Sequence, residues 1–226
     1  MISSLKLWQF STSHYCRKVR LTLGYKNISY QIQNLTPGLH ILQLKPKTGL
    51  TTVPVLEVKE NDHIHWISES TEIIKFLEKH FPEPGLLLPN PQDQQESLLL
   101  EDWLDESIGT ATRFIYYDFR SGEGKSLNSS LSSQLLISIV RYQYGITPES
   151  LTLANTRLNL ALEILSHKWQ NNVYLVGGKF SVADITAASL LSPLSIIPKY
   201  QNNYPLLFER INHIHALCNE PIYSIN

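Results

Sequence analysis

At 226 residues the chain exceeds the commonest size of one domain and falls short of three, so two domains are expected, each long enough to bury its own core. Its 19 Lys and Arg nearly balance 20 Asp and Glu, which leaves no charged stripe for nucleic acid or anionic lipid; small molecules and other proteins are the expected partners. Only Cys16 and Cys218 occur, too few for a disulfide framework, a Cys-rich zinc site or a CxxC pair, and there is neither a basic leader before an apolar run nor a stretch of about 18 apolar residues, so a reducing, cytoplasmic location away from membranes is expected.

Residues 6–10 read as a short apolar strand. Residues 14–26 follow with Tyr15, Val19 and Leu23 at helical spacing toward a core, and with Arg17, Lys18 and Arg20 on the side left for water. Ile28, Tyr30 and Ile32 alternate with Ser29, Gln31 and Gln33, which predicts a second, half-buried strand. Strand, helix and strand over this length make a βαβ unit, because a parallel pair needs a crossover. Residues 36–52, punctuated by Pro and Gly, are expected to be a connecting segment. Residues 53–58 and 63–67 flank the turn-rich Glu60-Asn61-Asp62 as a β-hairpin does. After Ser68-Glu69-Ser70, the run through Ile73, Ile74, Phe76 and Leu77 predicts an amphipathic helix that ends before Pro82.

The most Pro-dense stretch, residues 81–91, marks a linker, so the expected domains are 1–82 and 94–226 with 83–93 between them. Beyond it, residues 98–117, 131–144, 151–169, 182–191 and 206–218 carry helical periodicity and no strand pattern, which predicts an all-α bundle. Residues 121–133 (SGEGKSLNSSLSS) can bury little surface and are expected to form a mobile insertion between two helices.

Three segments carry a family resemblance: residues 11–20 (STSHYCRKVR), Thr52-Val53-Pro54-Val55-Leu56 with Glu69-Ser70 following, and residues 177–184 (GGKFSVAD). Together, and in register with the order of elements, they resemble the glutathione transferase superfamily over nearly the whole chain. The resemblance implies an α/β thioredoxin-like N-terminal domain (βαβ-ββα) that binds glutathione, an all-α helical-bundle C-terminal domain, and a homodimer. Glutathione chemistry needs a group that holds the sulfur as a thiolate. A hydroxyl on a loop entering a helix does this by donating a hydrogen bond, while the helix N-terminus adds roughly half a positive charge. The resemblance places Ser13 at that position, with Ser11 the runner-up; the residues themselves also read as an N-cap, so a dual role is expected of Ser13. Cys16 falls at the second Cys position of glutaredoxin-like members and is expected to be a small buried hydrophobe, and Tyr15 is expected to pack against the sheet. His14 stands where many members have Pro, as a titrating group beside the site or as a solvent-exposed helix start.

The resemblance also makes Val53-Pro54 a cis peptide that offers the Val53 backbone to the cysteinyl part of glutathione; a Pro in a strand belongs at an edge or bulge in any case. Glu69-Ser70 before a helix suits the γ-glutamyl end, Ser70 for the carboxylate and Glu69 for the ammonium, although ordinary capping explains the pair as well. His40, Lys45 and Lys47 are the candidate cations for the glycyl carboxylate. Ser181-Val182-Ala183-Asp184 reads as a structural capping box.

On the acceptor side, Trp103, Arg113, Phe114, Tyr116, Tyr117 and Arg120 put rings and two cations on one stretch, with His14 as a further contact, and this suits an apolar electrophile with an anionic or oxygen-rich end. The competing reading turns half of these rings into the core or a dimer partner. His63-x-His65 and His213-x-His215 lack converging ligands, and no metal is expected. The expected function is conjugation of glutathione, as co-substrate, to hydrophobic electrophiles, with the related reduction of organic hydroperoxides; the lack of Cys at position 13 argues against mixed-disulfide chemistry. Two alternatives stand beside it. One is a non-catalytic binding or scaffold protein of the same fold, which His14 and the Ser-rich segment keep open; the other is a pathway-specific glutathione-dependent lyase, isomerase or dehalogenase.

Overall fold

The computed structural model describes residues 2–61 and 63–222, so the Asp62 member of the expected hairpin turn lies outside the described residues. The chain divides into two compact units, Met1–Leu87 joined by His215–Glu220, and Leu88–Ile214 with Pro221–Asn226.

The first unit runs β1 (Ile2–Gln9), α1 (His14–Tyr25), β2 (Gln31–Asn34), α2 (His40–Thr48), β3 (Val55–Glu60), β4 (His63–Ser68) and α3 (Ser70–His80). Its sheet has the order β2-β1-β3-β4; β1 is parallel to β2 and antiparallel to β3, and β3 is antiparallel to β4. This is the thioredoxin-like arrangement. Strand alternation sorts the core into two layers. Leu5, Leu7, Leu56 and Val58 point to Val19 and Leu23 of α1 and to Ile73 and Leu77 of α3. Trp8 and Val55 face the other way, toward Leu44 of α2, with Leu35, Phe10, Val53 and Trp66 around them.

Three expectations need correction here. Residues 36–52 are more than a connection, because they hold α2 with Pro46 inside it. A proline removes one backbone donor, and this helix ends two residues later, where Gly49 at φ 75° turns the chain through the left-handed region. The second strand begins at Gln31, and as an edge strand it is exposed; Ile28 and Tyr30 pack on the first core layer just ahead of it. The charged side of α1 does not face water: Arg17, Lys18 and Arg20 are 4%, 0% and 6% exposed. Lys18 Nζ donates to Thr71 Oγ1 of α3 at 3.3 Å, and Arg20 Nε donates to Glu220 Oε1 at 2.7 Å. Helical periodicity identifies one apolar stripe, whereas these partners lie 53 and 200 residues away.

The second unit contains α4 (Pro91–Trp103), a π turn (Leu104–Ile108), α5 (Gly109–Ser121), a 3₁₀ turn (Glu123–Asn128), α6 (Leu131–Gln143), α7 (Pro148–Asn171), α8 (Val182–Leu191), a second 3₁₀ turn (Ser192–Ile196), α9 (Pro198–Asn203) and α10 (Pro205–Leu217), whose last turn joins the first unit. No strand occurs in it among the described residues, as the all-α expectation requires. Every residue of α8 is buried. At its start Asp184 Oδ2 accepts from the amide and the hydroxyl of Ser181 (3.1 and 3.0 Å), and Oδ1 accepts from Leu175 N and Trp169 Nε1 (2.9 and 3.3 Å). Burial pushes the Asp184 carboxyl up to about 6, outweighing the downward pull of those bonds.

Residues 121–133 hold the first 3₁₀ turn and the start of α6 rather than an unstructured insertion. Gly124 lies where a Cβ would press on the Phe119 ring, and Ser130 caps α6 by accepting from Ser133 N at 3.3 Å. Among the described residues no helix is long and apolar enough to cross a membrane.

Candidate functional site

Strand register decides what meets at one end of the sheet. The penultimate residue of β1 lies opposite the first residue of β3 (Trp8 with Val55), and that residue lies opposite the last of β4 (Val55 with Ser68). The loop that follows Gln9, the segment before Val55 and the segment after Ser68 therefore leave the sheet at the same end. They carry Ser11 to Ser13, Val53-Pro54 and Glu69-Ser70, three pieces that are remote in sequence.

Ser13 is the N-cap of α1, in extended backbone, and its Oγ accepts from Cys16 N at 3.3 Å. Its amide donates to Phe10 O (3.1 Å) and its carbonyl accepts from Arg17 N (3.0 Å), so the backbone is held on both sides. A hydroxyl oxygen that accepts still has its proton to donate. Its side chain also hydrogen-bonds with that of Cys16, no carboxylate among the described residues takes its proton, and the residue is half-buried. Ser11 is exposed, and its carbonyl accepts from Arg20 Nη2 at 3.3 Å. His14 is buried with its ring 4.6 Å from that of Tyr15, which removes the solvent-exposed alternative. Tyr15 is half-exposed beside it and stands outside the core layer that Val19 and Leu23 join. Cys16 is wholly buried, and burial pushes its thiol up against the pull of Ser13, the Phe10 backbone and the charges of Arg20 and Arg17. Little thiolate is available there.

The Val53-Pro54 peptide is cis, and Val53 is half-buried just ahead of the β3 ladder. Glu69 sits at φ 71°, ψ 134°, a backbone region that costs a non-glycine residue about 1–3 kcal/mol and that concentrates at ligand clamps. Its carbonyl opens α3 by accepting from Ile73 N (3.0 Å), and its Oε1 accepts from Thr52 Oγ1 (3.0 Å), a direct tie between the Val53 and Glu69 segments. Nothing in the sequence marks Thr52 as a functional side chain, since a threonine before a strand carries no signal of a partner 17 residues on. Ser70, 2% exposed, is the first residue of α3, where amides have no partner within the helix. On α2, Lys47 Nζ lies 4.9 Å from the Trp66 ring centroid and 5.8 Å from that of Trp8. His40 accepts from Gly38 N through Nδ1 (3.0 Å) and packs edge-on to Phe10, while Lys45 is exposed on the same helix.

Within the helical unit, Arg120 and Tyr116 are buried and bonded to one another, Nη1 donating to the phenol oxygen at 2.9 Å, and Nη2 lies 3.4 Å from Ser133 Oγ. The stretch therefore presents one cation, not two. That cation, Arg113, lies 4.5 Å over the Tyr144 ring. The Tyr117 phenol is pushed up to about 12, by burial first and by Tyr116 next. Trp103 and Phe114 are half-exposed, and Trp103 ends α4 at the π turn, a feature often found beside functional sites and one that no residue pattern announced. His63 and His65 are exposed on β4, whereas His215 is buried with Nδ1 3.3 Å from the Glu220 carbonyl. Among the described residues no group of three or more His, Cys, Asp or Glu could hold a metal ion.

Residues 7–85 match the N-terminal domain of glutathione S-transferases, and residues 136–220 match the C-terminal domain. No curated protein matches the chain by sequence. Solved structures with the same fold include a glutathione S-transferase from Methylobacterium radiotolerans in complex with glutathione sulfonate (TM-score 0.74, 20% identity, covering 99% of this chain and 97% of that one). Others are the β-etherase LigF from Sphingobium sp. strain SYK-6 (0.73, 22% identity, 94% and 95%) and FzlA from C. crescentus (0.72, 20% identity, 95% and 89%).

Proposed function

Because the chain belongs to the glutathione S-transferase superfamily, we propose that it is a glutathione transferase that conjugates glutathione to hydrophobic electrophiles and reduces organic hydroperoxides with the same thiolate, a second glutathione then closing the disulfide as water leaves. The observation that carries this reading is the meeting of Ser13, Val53-Pro54 and Glu69-Ser70 at one end of the sheet. Ser70 takes the γ-glutamyl carboxylate through its hydroxyl and its amide at the positive end of α3. Glu69, with one carboxylate oxygen held by Thr52, keeps the other for the ammonium on the same carbon. Val53 pairs its backbone with the cysteinyl residue, and a cation of α2, from His40, Lys45 or Lys47, meets the glycyl carboxylate. Ser13 then donates a hydrogen bond to the sulfur at the positive end of α1 and lowers the thiol pKa, so that the thiol proton leaves to solvent. The thiolate forms the carbon–sulfur bond while the leaving group departs with its electron pair.

His14, Trp103, Arg113, Phe114 and Tyr117 are proposed for the acceptor, with Tyr116 holding Arg120 from within the core. A homodimer in the cytoplasm, with domains at 1–82 and 94–226 joined by 83–93, completes the reading. A specialised lyase, isomerase or dehalogenase would use the same glutathione residues and differ only in acceptor. The likeness to a β-etherase therefore puts aryl ethers into the acceptor screen beside chloronitroaromatics and hydroperoxides.

Calorimetric titration with glutathione tests the reading. The wild type should bind, and Ser70→Ala, which removes a charge-assisted hydrogen bond of roughly 1.5–3 kcal/mol, should weaken binding by about tenfold or more. Unchanged affinity would take Ser70 out of the site. No binding by the wild type would leave only the non-catalytic reading.

A further inference from the structure

Residues 215–220 belong to the same compact unit as α1, and they seat on it so closely that a Cβ on Gly24 would overlap the Cys218 carbonyl oxygen. From this seat Glu220 Oε1 accepts from Arg20 Nε at 2.7 Å. The same guanidinium donates through Nη1 to Gln9 Oε1 (2.6 Å) and through Nη2 to the Ser11 carbonyl (3.3 Å), while Gln9 Nε2 donates onward to Asn34 Oδ1 (3.1 Å). One buried side chain thus joins a segment 200 residues away to the end of β1 and to the loop that presents Ser13. Cohesion alone would not need this arrangement, since well-packed apolar groups often stabilise a buried site as well as an ion pair does. A directed bond to the Ser11 carbonyl fixes the loop in a way that apolar packing cannot.

We infer that Glu220, acting through Arg20, is a positioning residue for Ser13: it aims the guanidinium that holds the Ser11 carbonyl, and so sets the place of the hydroxyl that activates the thiol. This rests on the reading of Ser13 given above. Without the Glu220 carboxylate, Arg20 loses the bond that orients its Nε edge and the loop gains freedom. A misplacement on the order of 1 Å at a reacting group can cost about a hundredfold in rate.

The test is the ultraviolet thiolate absorbance of bound glutathione against pH, on the full chain, for the wild type, Ser13→Ala, Glu220→Ala and the double variant. Glu220→Ala should move the thiol titration to higher pH and lower turnover near neutral pH by roughly tenfold while glutathione affinity holds. Glu220→Gln, which still accepts from Arg20 Nε, should restore most of the loss. In the Ser13→Ala background, Glu220→Ala should add nothing. If Glu220→Ala does not fold, Arg20→Lys carries the same expectation, because one ammonium cannot serve Glu220, Gln9 and Ser11 together. A shift with Ser13→Ala but none with Glu220→Ala overturns the inference and leaves Ser13 in its role, and so do equal shifts from Glu220→Ala in both backgrounds. No shift with Ser13→Ala overturns the reading of Ser13, and the inference falls with it.

Discussion

Of the helices that open on a serine N-cap, α1 on Ser13 and α8 on Ser181 leave the serine in opposite states. At α8 the third helical residue is Asp184, whose carboxylate takes both the amide and the hydroxyl proton of Ser181 in a fully buried setting. Every polar group there is consumed. At α1 the third residue is Cys16, which turns a thiol into the core and offers no carboxylate back. Ser13 accepts from the Cys16 amide and has only a weak thiol partner for its hydroxyl, with no carboxylate among the described residues to take it. The difference teaches that a capping serine is closed or open to a ligand according to the residue three positions on and to its burial, not according to the serine itself.

The comparison breaks first at Asp184. Asp184→Ala strands four donors in the core and should cost about 3 kcal/mol or more in urea denaturation. Ser13→Ala removes only an N-cap acceptor and should cost about 1 kcal/mol. Equal losses would mean that the two caps do the same job. The pH dependence sharpens the contrast. The Asp184 carboxyl titrates at about 6 in the fold, above its ordinary 3.8, so the fold favours its protonated form. Its stabilising contribution is fully present below pH 3.8 and is lost as the pH rises through about 6, by up to about 1.4 kcal/mol per pH unit. Asp184→Asn should flatten stability across that window, and a wild-type curve already flat there would contradict the burial argument. The smallest effect belongs to Cys16→Ala. As a buried thiol with little thiolate character it should lose roughly 1 kcal/mol of stability and leave turnover intact. Loss of activity with stability unchanged would transfer the chemistry from Ser13 to Cys16.

What was legible in the sequence was what is local. The hairpin, α3 and the Ser181-to-Asp184 cap each announce themselves within a few residues, and the three motif segments stand out because each is short and continuous. The helix α2 is hidden because Pro46 and Gly49 read as breakers, although the helix runs through Pro46 and stops only two residues later. The cations of α1 read as solvent-facing because periodicity reports a single apolar stripe and is blind to Thr71 and Glu220 arriving from elsewhere in the chain. Arg120 reads as an exposed cation because, although Tyr116 is one turn back on its own helix, Ser133 comes from α6. Site residues that depend on a remote partner, such as Thr52 for Glu69 and Glu220 for Arg20, have no local signature at all.

The central claim, that Ser13 holds the glutathione sulfur as a thiolate, is tested most directly by counting protons. Titrating glutathione into the protein near neutral pH, in two buffers of different ionisation enthalpy, reports the protons released on binding. A site that binds the thiolate should release close to one proton per glutathione in the wild type, because a free thiol near its ordinary pKa of about 8.5 is mostly protonated there. Ser13→Ala should release far fewer while still binding. Equal release by the two proteins would contradict the account and pass the role to Ser11 or to a backbone amide of the same loop.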